Sequence, residues 1–331
     1  MNDGPVFVSA EAARAVFRWE DAVAVLAEAY TAPASPRATP PRSMAADGPA
    51  WFRALPSMPA GRRYFGAKLM GSPGTTTPPR VEYVIVLFDR ETGRIAAFLD
   101  GNVITGLRTA ATSAVALDRL APHGPLRLAV LGSGFEATMH TRAFASVREL
   151  SHVSVFSPTP ARRAEFAAAV TSELGVTATA TDSPEEAVAS ADIVLAAARS
   201  RGEQPILFGD WLKPGATVVS IGSTIPQQRE IDASVVAWAD LIVCDVLDEV
   251  LDATGDMIAA TQAGIDPHAK SIGLTDVLQN VDRERFDRAT NRMFKSVGSG
   301  LQDIVVAELL LTAATAAGLA TPLPIAFETK D

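Results

Sequence analysis

A single cysteine, Cys244, in a chain of 331 residues excludes a disulfide within the chain and any cluster of thiolate metal ligands. Histidine is nearly as scarce, and four residues with no pair at zinc-ligand spacing predict no structural metal. Positive charge is in the minority. Lysine and arginine number 29 against 38 acidic residues, a formal net charge of −9, which argues against nucleic acid or an anionic membrane as the main partner. A local basic pocket for a small anion is compatible with that balance. The longest apolar run, Val305 to Ala320, is interrupted by Glu308 and rich in Ala and Thr, poor material for a membrane span. The opening MNDGPVFVSAEAARAVF has neither a basic region nor an apolar core of signal-peptide type, so a cytoplasmic location is expected.

What is present is an ordinary globular composition, 48% hydrophobic and 20% charged, at a length that suits about two domains of ~150 residues each. The most informative stretch is Leu126 to Val147, LRLAVLGSGFEATMHTRAFASV. It reads as an apolar strand, a Gly132-x-Gly134-x-x-Ala137 turn and a helix. Gly132 can take a conformation closed to residues with a Cβ, Gly134 lets the backbone approach a pyrophosphate, and Ala137 lets the helix pack on its strand. The helix start presents N–H groups and a positive dipole end to phosphates. Gly132, Ser133, Gly134, Phe135, Glu136 and Ala137 are therefore candidate dinucleotide contacts; the bland alternative is a tight turn with no ligand. The next strand, VSVF, ends in Ser157-Pro158-Thr159 with Arg162 and Arg163 just beyond. No carboxylate stands there to repel a 2′-phosphate, so Ser157, Thr159 and Arg162 favour NADP, with NAD as the alternative. The competing reading makes both arginines solvated members of a helix's first turn.

Further apolar runs, Val176 to Thr181, Asp192 to Ala198, Ala216 to Ile221 and Leu241 to Cys244, alternate with helical or loop segments. Such alternation specifies a parallel, doubly wound sheet. Its ligand crevice is expected at the carboxyl ends of the strands, where Gly132 to Glu136, Ser157 to Arg163, Ala198 to Gly202 and Gly222 to Pro226 converge. Upstream, helices from Ser9 to Phe17 and Asp21 to Tyr30 precede a Pro-rich linker, Ala32 to Pro49, that carries Arg42. Trp51 to Phe98 reads as an antiparallel sheet with a hairpin at Glu91-Thr92-Gly93. Lys68 sits on one of its strands, either solvated or functional. Arg108 falls near the start of a helix over Gly106 to Leu120, where a cation opposes the dipole and an anionic ligand would relieve it. The last helix, outside the alternation, is expected to pack back on the first lobe. The fold class is thus α/β, a Rossmann-type doubly wound sheet (122–299) inserted in a discontinuous α+β substrate-binding and dimerisation domain (1–121 plus 300–331).

PPRSM, FGAKLMGSP, GLRTAATSAVALDRLA, VLGSGFEA, VFSPT, LKPGATVVSIGS, REID, GDM and FKSVGSGLQD together resemble the ornithine cyclodeaminase/μ-crystallin family of nicotinamide-dependent proteins, over nearly the whole chain. The resemblance implies a homodimer. It also implies that Arg42, Lys68 and Arg108 bind a substrate carboxylate and polarise the reacting carbon, with Thr109, Ser223, Ser296 and Gly298 as further cofactor contacts. The chemistry is consistent: two guanidiniums can clamp a carboxylate, and an ammonium can donate a proton beside a C=N or C=O bond as hydride moves. One departure bears on the reaction. Where the family's cyclodeaminases carry an aspartate, this chain has Ser223, which cannot act as a carboxylate base. Asp232 or Asp303 could replace it only if the fold brings them to the site; otherwise they are capping or surface residues.

The expected function is NAD(P)-dependent hydride transfer to or from the Cα of a small imino or amino acid, as a ketimine or imine reductase or an amino-acid dehydrogenase. The alternatives are an ornithine cyclodeaminase, which is an ammonia-lyase converting ornithine to proline, and a cofactor-retaining binding protein.

Overall fold

The computed structural model describes residues 4–76, 80–198, 200 and 202–328. The chain divides into two compact units, Met1–Thr109 with Ser299–Asp331, and Ala110–Gly298.

The first unit is built on a seven-stranded sheet of β1 (Val6–Val8), β2 (Ser43–Asp47), β3 (Ala50–Ser57), β4 (Tyr64–Ser72), β5 (Glu82–Asp89), β6 (Ile95–Asp100) and the short strand Thr321–Pro322. From that last strand the order is β1, β6, β5, β4, β3, β2, antiparallel except for the β1–β6 pair. Along β5, Ile85 and Leu87 are buried and alternate with partly exposed neighbours, the period of a sheet covered on one face. The cover includes the C-terminal helix Gly300–Ala316, which packs on β3, β4 and β5 and on helices α1 (Ala10–Val16) and α2 (Trp19–Thr31). Ser9 caps α1 by accepting from the Ala12 N–H. The expected linker at 32–49 instead contains a 3₁₀ turn, Pro36–Ala38, and the edge strand β2. Every residue of β2 is exposed, so it is held by its ladder to β3 and leaves no hydrophobic period to detect.

Helix α3 (Gly101–Leu120) begins five residues before its expected start, and the division between the units falls within it. Arg108 is therefore two turns into the helix. The expected conflict with the helix dipole does not arise there, because the dipole acts within the first turn.

The second unit holds eight parallel strands: β7 (Leu126–Leu131), β8 (Leu150–Phe156), β9 (Ala178–Ala180), β10 (Ile193–Ala196), β11 (Thr217–Ser220), β12 (Leu241–Cys244), β13 (Ser271–Gly273) and β14 (Arg292–Lys295). Their order is β13-β12-β14-β11-β10-β7-β8-β9. The sheet runs outward in opposite directions from the β7–β10 pair, the switch point at which doubly wound sheets bind ligands. Helices α4 (Phe135–Val147) and α5 (Pro160–Leu174) follow β7 and β8. β14 is a strand that the expected alternation does not include. The strand lies between β11 and β12. Its four residues begin and end on a charge, so the apolar signal shrinks to Met293 and Phe294.

Candidate active site

In the first unit, β4 carries Lys68 inward, 1% exposed. Its Nζ lies 3.0 Å and 2.9 Å from the two carboxylate oxygens of Asp303 and 3.4 Å from Thr105 Oγ1. Asp303 stands in the first turn of the C-terminal helix, fully buried. The helix start can come this close because residue 300 is glycine: a Cβ there would meet the carbonyl oxygens of Pro56 and Leu55 at 2.5 Å and 2.8 Å. The same carboxylate receives Arg108 Nε at 2.9 Å. Gln302 Oε1 accepts from Arg108 Nη1 at 2.6 Å while its amide donates to Tyr30 Oη at 2.8 Å, which fixes the plane of the guanidinium. Thr109 donates to the Thr105 carbonyl at 2.6 Å.

Two buried cations thus share one carboxylate, and half-buried Arg42, just ahead of β2, adds its field at Lys68. Burial lowers the Lys68 pKa from 10.5 to about 8; Arg108 and Arg42 act the same way, and Asp303 opposes them. An ammonium poised near neutrality beside surplus positive charge suits a small carboxylate and a proton transfer. Sequence alone points to Lys68, Arg108 and Arg42. It offers Asp303 only as a substitute for Ser223, and the structure places it elsewhere, as the shared counter-ion. The signal for it is the GLQD string, in which an acidic residue opens a largely apolar helix. Asp232 caps a helix, accepting from the Ser234 N–H at 2.9 Å.

In the second unit the glycine turn follows β7. Gly132 has φ 125°, and a Cβ there would come within 2.8 Å of the Ala197 carbonyl oxygen, so this position demands glycine. Around Gly134 nothing of the protein lies within 4 Å of a Cβ position. No side chain caps α4, whose N-cap is Gly134, an arrangement in which the first N–H groups suit an anion. Phe135 is exposed, Glu136 half-buried and Ala137 buried. Ser133 Oγ donates to Ser157 Oγ at 2.9 Å, joining the glycine turn to the end of β8. Thr159 and Arg162 are exposed there, and Arg162 shares a cleft of about 560 Å³ with Ser133, Gly134 and Phe135. Arg163 is otherwise engaged: it pairs with Asp182, donates to the Ser157 carbonyl and lies over the Phe156 ring. These features fit a dinucleotide, with an open phosphate turn and hydroxyl and guanidinium groups where a ribose-binding carboxylate would otherwise stand.

Three carboxylates to which the sequence assigns no role fasten the carboxyl ends of the neighbouring strands. Glu230 accepts from Ser220 Oγ and from the N–H groups of Ile221, Gly222 and Ala198. Burial pushes its pKa up to about 7, against the pull of Lys295. Asp256 accepts from the Glu230 N–H at 2.9 Å and pairs with Lys295 at 2.9 Å. Asp245 accepts from Ser296 Oγ at 2.7 Å and the Gly298 N–H at 2.8 Å. Ser223, fully buried, donates to the Gln228 carbonyl at 2.6 Å. Of the expected loop at Ala198 to Gly202, Arg199 and Arg201 lie outside the described residues.

The ornithine cyclodeaminase/mu-crystallin family model matches residues 9–317. The ketimine reductase mu-crystallin of Mus musculus is 33% identical over 235 residues, 71% of this chain and 70% of that one. A delta(1)-pyrroline-2-carboxylate reductase of Bacillus cereus is 28% identical over 276 residues, 80% and 82% of the two chains. The iminosuccinate reductase of Paracoccus denitrificans, solved in complex with NAD+, has a TM-score of 0.85 at 25% identity, covering 97% of this chain and 100% of that one. No helix among the described residues is long and apolar enough to cross a membrane.

Proposed function

The chain belongs to the ornithine cyclodeaminase/mu-crystallin family, and from that premise we propose that it reduces small 2-imino acids, cyclic ketimine carboxylates first among them, to the corresponding amino acids. At the coarser level it is an NAD(P)-dependent oxidoreductase, as its similarity to ketimine, pyrroline-2-carboxylate and iminosuccinate reductases supports. The observation that carries the finer reading is the buried Lys68–Asp303–Arg108 cluster.

In this reading Arg108, its plane set by Gln302, and Arg42 hold the substrate carboxylate by charge-assisted hydrogen bonds. A carboxylate so placed brings the imine carbon and nitrogen toward Lys68. A nicotinamide held by the second unit would supply the hydride. Lys68 donates a proton to the nitrogen as the C=N bond becomes C–N, and Asp303 stabilises the ammonium form until that moment. In the oxidative direction the neutral amine takes the proton back. Substrate binding and dimer contacts belong to the first unit, and nucleotide binding to the second together with Thr109 of the first. Gly132, Ser133, Gly134, Phe135, Glu136 and Ala137 serve the pyrophosphate side. Ser157, Thr159 and Arg162 receive a 2′-phosphate, which makes NADP the preferred cofactor and NAD the second. Thr109, Ser223, Ser296 and Gly298 complete the nucleotide contacts.

Ring closure with loss of ammonia is disfavoured. Its base position is Ser223, and Asp303 is already bound by two cations. A pure binding protein would have no use for a desolvated lysine held against a carboxylate. The partner in solution is a second copy of the chain, supported by the exposed edge strand β2, which carries the exposed Met44, and by the exposed Phe52 on β3 beside it.

The test is a steady-state assay with NADPH and with NADH against cyclic imino acids and 2-oxo acids plus amines, following loss of the reduced nicotinamide. Turnover with any imine supports the reading. Release of ammonia from ornithine, with no net consumption of cofactor, would replace it with the lyase.

A further inference from the structure

The Glu230 carboxylate is fully buried and takes no part in the chemistry above, yet it gathers four donors from two adjacent strand ends. Oε2 accepts from Ser220 Oγ at 2.6 Å, from the Ile221 N–H at 3.0 Å and from the Gly222 N–H at 2.8 Å, all at the end of β11. Oε1 accepts from the Ala198 N–H at 3.1 Å, just past β10. The backbone it holds there is the wall that faces the glycine turn. A Cβ on Gly132 would meet the Ala197 carbonyl oxygen at 2.8 Å and the Ala198 Cβ at 3.1 Å. Glu230 is itself anchored, since Asp256 accepts from its N–H and from that of Ile231 and pairs with Lys295 at the end of β14. Lys295 closes the circuit by donating to Ser220 Oγ at 2.8 Å.

We propose that Glu230 is a positioning residue for the dinucleotide site, a strut that sets the Ala197–Ala198 wall against Gly132 and holds the Gly222–Ser223 loop in its ligand-ready form. The proposal rests on the nucleotide reading given above. A buried polar group is retained only when it is hydrogen-bonded, and here each of those bonds ends on backbone or side chain at strand ends where doubly wound sheets bind ligands.

The experiment measures NADPH and NADH dissociation constants by nicotinamide fluorescence for wild type, Glu230→Ala and Glu230→Gln, together with KM for nucleotide, KM for imino acid and kcat. A glutamine keeps one oxygen for the three donors at β11 and places an amide N–H against Ala198, so its loss is confined to the wall of the glycine turn. Glu230→Gln is expected to weaken nucleotide binding roughly tenfold, the factor that about 1.4 kcal/mol sets, and Glu230→Ala to weaken it further. The nucleotide KM should rise in step, with the imino-acid KM and the saturated kcat little changed. A merely structural role would reduce the yield or melting temperature of folded protein without that split. Wild-type nucleotide affinity in Glu230→Gln overturns the proposal whether or not the alanine variant folds. A wild-type protein that binds neither nucleotide overturns the functional reading itself, a result distinct from the first.

Discussion

Replacement of Lys68 by methionine separates the chemistry of the site from its packing. Methionine fills most of the volume and leaves Asp303 paired with Arg108 at 2.9 Å, so the fold should survive. In the wild type, burial first and then Arg108 bring the Lys68 pKa from 10.5 down to about 8, equivalent to about 3 kcal/mol against the charged form. Below pH 8 the lysine is protonated in both folded and unfolded chains and that penalty is fully present. Between pH 8 and 10.5 the unfolded chain holds the extra proton, so wild-type stability rises with pH across this window. The methionine variant lacks this contribution. Melting curves at pH 7, 8, 9 and 10 should therefore show the wild type gaining on the variant above pH 8. Reductive kcat/KM should fall in the variant by roughly 10²- to 10⁴-fold, the usual contribution of a positioned proton donor. In the wild type it should decline as pH rises through about 8 and the ammonium is lost. A variant with wild-type turnover, or with an unchanged pH dependence of melting, would refute the assignment of Lys68.

Asp303→Asn removes the group that raises the lysine's pKa against burial, so the decline in reductive activity should move below pH 8 in a pH–rate profile. Ser157→Asp places a carboxylate where a 2′-phosphate is expected; the NADPH-to-NADH ratio of kcat/KM should fall at least about tenfold by like-charge repulsion and gain of a ribose acceptor. Gly132→Ala meets both φ 125° and the Ala197 carbonyl. It should lower stability by about 1–3 kcal/mol in denaturant titrations and abolish nucleotide fluorescence enhancement.

The parts of this protein legible in its sequence are those whose causes are local. The Gly132 turn is readable because a positive φ beside a neighbouring backbone admits only glycine. The β7, β10, β11 and β12 strands are readable because a sheet buried on both faces turns each into a largely apolar run. Lys68, Arg108 and Arg42 can be named as charges in motifs, but not as a cluster. Only the tertiary structure decided which charges meet. Asp303 lies 235 residues from Lys68 along the chain and contacts it directly. What Glu230, Asp256 and Asp245 hold is invisible until the sheet brings strand ends around them. The edge strand β2 and the inserted strand β14 escape for a related reason: one is wholly exposed, the other is four residues bounded by charge, and ladder pairing makes each a strand. Propensity and periodicity are summed along the chain, whereas burial, ion pairing and pKa depend on neighbours that only the folded sheet brings together.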